Sequence, residues 1–148
     1  MERVDIVGLL NSMLIPLGFK RKGSNWTQNG EAICKLVNLQ RSYYSKSYYI
    51  NYGFILKKIP LTTMTHLGGR LGSVNSNENG RINYLLDFES AINKESRLKD
   101  LQYFIEKLLI PKLVAIETEE EFLQEVKNSP YSSMIPLVVK EYFHLEEW

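Results

Sequence analysis

At 148 residues, with 44% apolar side chains and a net charge of +1, the chain suits a single α+β domain spanning 1–148, large enough to bury a core without staples. Its one cysteine, Cys34, excludes an internal disulfide, and with only His66 and His144 there is no zinc-type spacing, so neither metal nor cofactor is expected. The start Met1-Glu2-Arg3-Val4-Asp5 lacks the order of a signal peptide, and no run of about 18 apolar residues occurs, so the expectation is a cytoplasmic protein without membrane contact.

Val7, Leu10, Leu14 and Leu17 recur at helical spacing, with Ile6 and Met13 widening the stripe, and predict a helix over 3–15 ended by Pro16 and Gly18. Phe19 to Lys22 leads into a first strand and carries the basic cluster Lys20, Arg21 and Lys22. Asn29-Gly30 is a strong hairpin signal, since both residues tolerate the positive φ of a type I′ turn. A two-residue loop there sets Trp26 opposite Ile33.

The ribbon that follows organises the chain. Tyr48, Ile50, Tyr52, Phe54 and Leu56 alternate with more polar positions, so the even numbers face the core; in the preceding arm Ile33, Val37 and Leu39 reverse that parity. Facing residues must share a face, so each pair joins an odd number to an even one. Leu39 opposite Ile50, Val37 opposite Tyr52 and Ile33 opposite Leu56 satisfies this and leaves a four-residue loop, Tyr43 to Lys46. Lys35, the misfit, then lies beside Phe54, its stem packed and its ammonium expected at the rim.

Beyond Pro60 the glycines of 66–72 lack the spacing of a phosphate-binding fingerprint, and a strand over Leu67 to Val74 is expected. Asn75 to Gly80 is turn chemistry, and the alternation of Ile82, Tyr84, Leu86 and Phe88 predicts a fifth strand. Leu98, Leu101, Ile105 and Leu108 then form a helical face, with Pro111 kinking or ending that helix. Thr118 to Glu121 is a capping box opening a helix through Val126; Asn128-Ser129-Pro130 stops it, and a last helix is expected within Ile135 to His144. The fold expected is α+β: an N-terminal helix, an antiparallel meander of four to five strands, then two to three helices packed on one face.

Residues 1–86 hold eleven Lys or Arg against four acids, and 87–148 hold seven against thirteen. The plain expectation is acidic helices beside a basic sheet; the sharper one is a basic face that receives an anionic partner.

The runs Leu17-Gly18-Phe19-Lys20-Arg21-Lys22-Gly23, Val37-Asn38-Leu39-Gln40-Arg41-Ser42 and Tyr48-Tyr49-Ile50-Asn51-Tyr52-Gly53, with Trp26 between the first two, make an order that is similar to a family of small bacterial proteins known only as a domain of unknown function. Its pattern is an LGFxRxG start, a Trp strand, an NLQxS strand and a YYINxG strand, and Gly69-Arg70-Leu71 also resembles it. The resemblance covers roughly 14–72. It implies a bacterial source and supports the strands, and it carries no activity.

Catalytic groups are sparse. His66 is expected on the surface of a loop, and Cys34 is expected to pack within its strand. The second face of the ribbon sets Gln40 opposite Tyr49, Asn38 opposite Asn51 and Leu36 opposite Gly53, with Arg41 and Arg70 expected at its rim and Gly53 opening space. The plain expectation for this face is that a helix covers it; the sharper one is a recognition surface. The preferred function is a noncatalytic protein-binding module, in the manner of small inhibitor or immunity proteins, using the Tyr43-Tyr44 tip and the arginine-bearing edge. The alternative is nucleic acid or a phosphorylated ligand on Lys20, Arg21, Lys22, Arg41 and Arg70, and the third is a small enzyme.

Overall fold

The structure, a computed structural model, describes residues 2–61, 64–128 and 135–145. Helix α1 (Arg3–Leu14) buries Ile6, Val7, Leu10 and Leu14 on one stripe, and its first turn is closed by the Glu2 amide donating to Asp5 Oδ2 at 2.8 Å. A short 3₁₀ turn (Ile15–Leu17) ends on Gly18, whose φ of 95° is the left-handed cap that glycine supplies most cheaply.

Five strands follow in meander order, all antiparallel: β1 (Lys20–Lys22), β2 (Asn25–Asn29), β3 (Ile33–Arg41), β4 (Tyr48–Leu56) and β5 (Leu67–Arg70). The β3–β4 register is the expected one, Leu39 opposite Ile50 and Ile33 opposite Leu56, closed where the Ser42 amide donates to Ser47 O across the tip.

The β2–β3 register is not. Trp26 faces Val37 rather than Ile33, the two-residue loop is Glu31-Ala32 rather than Asn29-Gly30, and neither loop residue nor Gly30 has positive φ. Gly30 is needed for a different reason: a Cβ there would lie 2.7 Å from Ile33 O. The shift preserves parity, so Trp26 still faces the core, fully buried, with its indole N–H donating to Asn11 Oδ1 at 2.9 Å.

The expected fifth strand at 82–88 is instead helix α2 (Ser76–Leu86). Asn75 caps it, accepting from the Asn77 and Glu78 amides, and Ile82, Leu85 and Leu86 bury at helical spacing while Tyr84 stays exposed. Only Asp87 makes an isolated bridge, to Ser47. The strand after Pro60 stops at Arg70, short of Val74.

Helix α3 (Lys94–Phe104) runs through a π turn (Ile105–Leu109) into α4 (Ile110–Ala115). Buried Arg97, Leu101, Ile105, Leu109 and Leu113 are spaced by four, wider than the α-helical period, and the π turn keeps them on one side just where Pro111 removes an amide donor. Thr118 and Glu121 exchange capping hydrogen bonds of 3.1 Å at the start of α5 (Glu119–Asn128). The expected Ser129-Pro130 stop lies outside the described residues, and α6 (Leu137–Tyr142) is the last helix among the described ones.

The helices gather on the side of the sheet that holds Trp26, Val37, Ile50 and Phe54. Lys35 also points there: its ammonium does not reach the rim but is buried, donating to Leu113 O at the end of α4 and pairing with Glu117. No helix among the described residues is long and apolar enough to cross a membrane.

Candidate functional site

Because the helices take one side of the sheet, the other side is built from the alternate residues of each strand. Two rows cross it. One runs Lys22, Asn25, Asn38, Asn51, Arg70, and the next runs Lys20, Thr27, Leu36, Gly53, Gly68, with Gln40 opposite Tyr49 beyond the first. The expected helical cover is absent among the described residues: Gln40 and Arg70 are exposed, Asn38 and Asn51 half-buried. Instead the face carries a hollow of about 570 Å³ lined by Leu36, Asn38, Gln40, Asn51, Tyr52, Met64, Thr65, Gly68 and Gly69.

Gly53 does not open that space. A Cβ on it would come within 2.4 Å of Thr65 Cγ2, and one on Gly68 within 2.8 Å of Thr65 Oγ1, so the two facing glycines are the seat on which the 64–65 segment rests. Arg70 lies across the Tyr49 ring with Cζ 3.9 Å from its centroid, and donates from Nε to Asn51 Oδ1 and from Nη2 to Gln40 Oε1.

The second group is at the ribbon tip. Tyr43 and Tyr44 are 97% and 99% exposed, touching chiefly each other with ring centroids 6.5 Å apart. Arg41 follows the odd, core-side parity of β3, so it stands away from Arg70 and does not join the open-face rim. It lines a hollow of about 250 Å³ with Glu2, Arg3, Lys46, Tyr48 and Phe88. The eight residues picked from sequence thus fall into two places: Asn38, Gln40, Tyr49, Asn51 and Arg70 on the open face, and Arg41, Tyr43 and Tyr44 at the tip.

A family model described as a domain of unknown function, DUF4304, matches residues 10–115. The chain belongs to that family. The match runs from mid α1 through α4, beyond the 14–72 over which motifs are visible, and takes in the whole sheet and the tip while leaving out α5 and α6. No curated protein and no solved structure matches the chain.

In this DUF4304 chain His66 is engaged in holding the fold, and Cys34 sits within a strand. His66 is buried rather than on the surface: Nδ1 accepts from the Leu56 amide at 2.8 Å, which leaves the proton on Nε2, 2.9 Å from Pro60 O. Cys34, half-buried in β3, has its thiol pKa pushed up by burial, away from thiolate reactivity. Among the described residues no group of three or more His, Cys, Asp or Glu side chains is placed to hold a metal ion.

Sequence reasoning passed over three residues that matter. Asn25 extends the amide row, a role visible only once β2 is in the observed register. Met64 walls the hollow from an irregular loop. Arg97 is 1% exposed and donates to the carbonyls of Leu85, Asp87 and Ser90 at 2.6, 2.8 and 3.0 Å, tying off the end of α2, while burial pulls its pKa down. A cation one turn ahead of Leu101 in the buried stripe was the available signal.

Proposed function

We propose that the protein is a noncatalytic binding module whose partner is another protein, held by the tip of the β3–β4 ribbon. The observation that carries this is the near-complete exposure of both Tyr43 and Tyr44 on a loop closed by its own hydrogen bonds. Two adjacent rings left in water gain apolar burial only when something docks, and tyrosine loses little side-chain entropy when fixed. Arg3, Arg41 and Lys46 flank the tip, with Glu2 the one acid lining the same hollow, so an acidic segment of the partner is favoured. Arg41 is suited to take a carboxylate in bidentate fashion.

The test places a photo-crosslinking phenylalanine analogue at position 44 and, as control, at position 27 on the open face. Adducts are expected from the tip alone, mapping to an acid-rich peptide, and are expected to vanish when Tyr43 and Arg41 are also replaced by Ala. Thermal stability of the triple variant should stay within about 0.5 kcal/mol of the parent, as for exposed positions generally. Equal adducts from both positions, or none from position 44, would refute the reading.

A further inference from the structure

The side-chain amides of the open face have only one consistent orientation. Arg70 can only donate, so its bonds of 3.1 Å to Asn51 and 3.3 Å to Gln40 fix the oxygen of each amide towards the guanidinium. Asn51 Nδ2 must then donate, and it does so to Gln40 Oε1 at 2.8 Å and Asn38 Oδ1 at 3.2 Å. The step repeats once more, from Asn38 Nδ2 to Asn25 Oδ1 at 2.8 Å.

Every amide oxygen in this row is therefore already accepting. The donors Gln40 Nε2, Asn25 Nδ2 and Arg70 Nη1, by contrast, make no hydrogen bond to any described residue. Lys20 and Lys22 add cations at the far edge, and neither row contains an acid. Outward donors and cations with no carboxylate in either row to oppose them favour ligands rich in acceptors, and most strongly those with a negative charge.

Shape narrows the class. The adjoining hollow of about 570 Å³ is within the range of small-molecule sites, and beside its amides it is walled by Leu36, Met64, Thr65, Gly68 and Gly69. The guanidinium is also held before any ligand arrives, stacked on Tyr49 and bonded to two amides, so little freedom is lost when it binds.

The geometry points to a site for a small organic oxyanion, a carboxylate or a phosphate monoester, whose charged oxygens are taken by Gln40 Nε2 and Arg70 Nη1 and whose carbon skeleton lies over Leu36 and Met64. It uses none of the tip residues.

Titrating the full chain with benzoate, phenyl phosphate and uncharged benzamide, followed by NMR of the Asn and Gln side-chain amides, tests this. Saturable shifts at Asn38, Gln40 and Asn51 are expected with an anion, the tighter of the two naming the oxyanion, and benzamide should bind at least about tenfold more weakly. Gln40→Glu retains the oxygen that accepts from Arg70 and Asn51 but turns the free NH₂ into a repelling carboxylate oxygen. It should leave the melting temperature in place and weaken anion binding at least about tenfold. Should that variant fail to fold, Arg70→Gln carries the same binding expectation. The proposal is overturned if neither anion saturates by about 10 mM, if benzamide binds as well as benzoate, or if a folded variant binds like the parent. Replacing Tyr43 and Tyr44 with Ala should leave this binding unchanged, so this site and the tip succeed or fail separately.

Discussion

The two faces of the sheet are made by the same strands and held by different physics. In β3, Ile33, Val37 and Leu39 are buried against the helices, whereas Asn38 and Gln40, one residue along in each case, belong to a hydrogen-bonded row in contact with solvent. Burial is non-directional, so the core face survives a shift in strand pairing that preserves parity. The amide row does not survive it. Asn25 meets Asn38 only because Trp26 faces Val37, and with Trp26 opposite Ile33 the same Asn would have faced Cys34. The core face therefore depends on periodicity and the open face on register.

The largest effect expected is on the core side. Trp26→Ala should cost about 3 to 5 kcal/mol in urea denaturation, through lost burial and a residual cavity. Trp26→Phe keeps an aromatic ring but removes the indole N–H that donates to Asn11 Oδ1 at 2.9 Å, so it should cost less than the Ala variant but still about 1 to 3 kcal/mol. A Trp26→Ala cost under about 1 kcal/mol would mean that this face is not closed around the indole.

This contrast also explains what could be read from the residues alone. The β3–β4 pairing was legible because two arms of opposite parity leave few ways to face each other, and the fold class followed from it. Asn29-Gly30 misled because glycine there serves a close approach to a carbonyl rather than a positive φ, two needs that look the same in sequence. Ile82 to Phe88 misled because alternation over four apolar residues also contains a helical subset, and Asn75, read as turn chemistry, is the cap that decides for helix. His66 and Lys35 are buried by partners 10 and 78 residues away, the Leu56 amide and Leu113 O, which local patterns do not see. Of the open face, its opposing pairs were visible, but the direction of its hydrogen bonds depended on Arg70 reaching two neighbours at once.

A smaller effect sharpens the comparison where the open face is itself closely packed. Gly53→Ala drives a Cβ into Thr65 and should cost about 1 to 3 kcal/mol by overpacking. Adding Thr65→Gly removes the colliding atoms and should recover most of the difference measured in a double-mutant cycle. A neutral Gly53→Ala would show that the 64–65 segment is not seated on the glycines.

The smallest effect separates the faces by pH. The helices over the core are tied by Lys94 to Asp5 at 2.9 Å and by Lys107 to Glu78 at 2.5 Å, while the two rows of the open face contain no carboxylate. Glu78 is held below the ordinary carboxylate range by the Lys107 ammonium and then the Ser73 hydroxyl; Asp5 is held below it by the Glu2 amide and then Lys94. A carboxyl with a lowered folded pKa binds its proton more tightly in the unfolded chain, so its stabilisation is complete above the ordinary value of roughly 4 and is lost as pH falls through the folded one. Melting temperature should accordingly decline over that acid range, and Glu78→Gln should flatten part of the decline. Over the same range the Asn38 and Gln40 side-chain amide signals should hold their positions until the chain unfolds. If they instead titrate in step with Glu78, the two faces are coupled through the sheet, and the open face is not the independent, carboxylate-free row that its pairing describes.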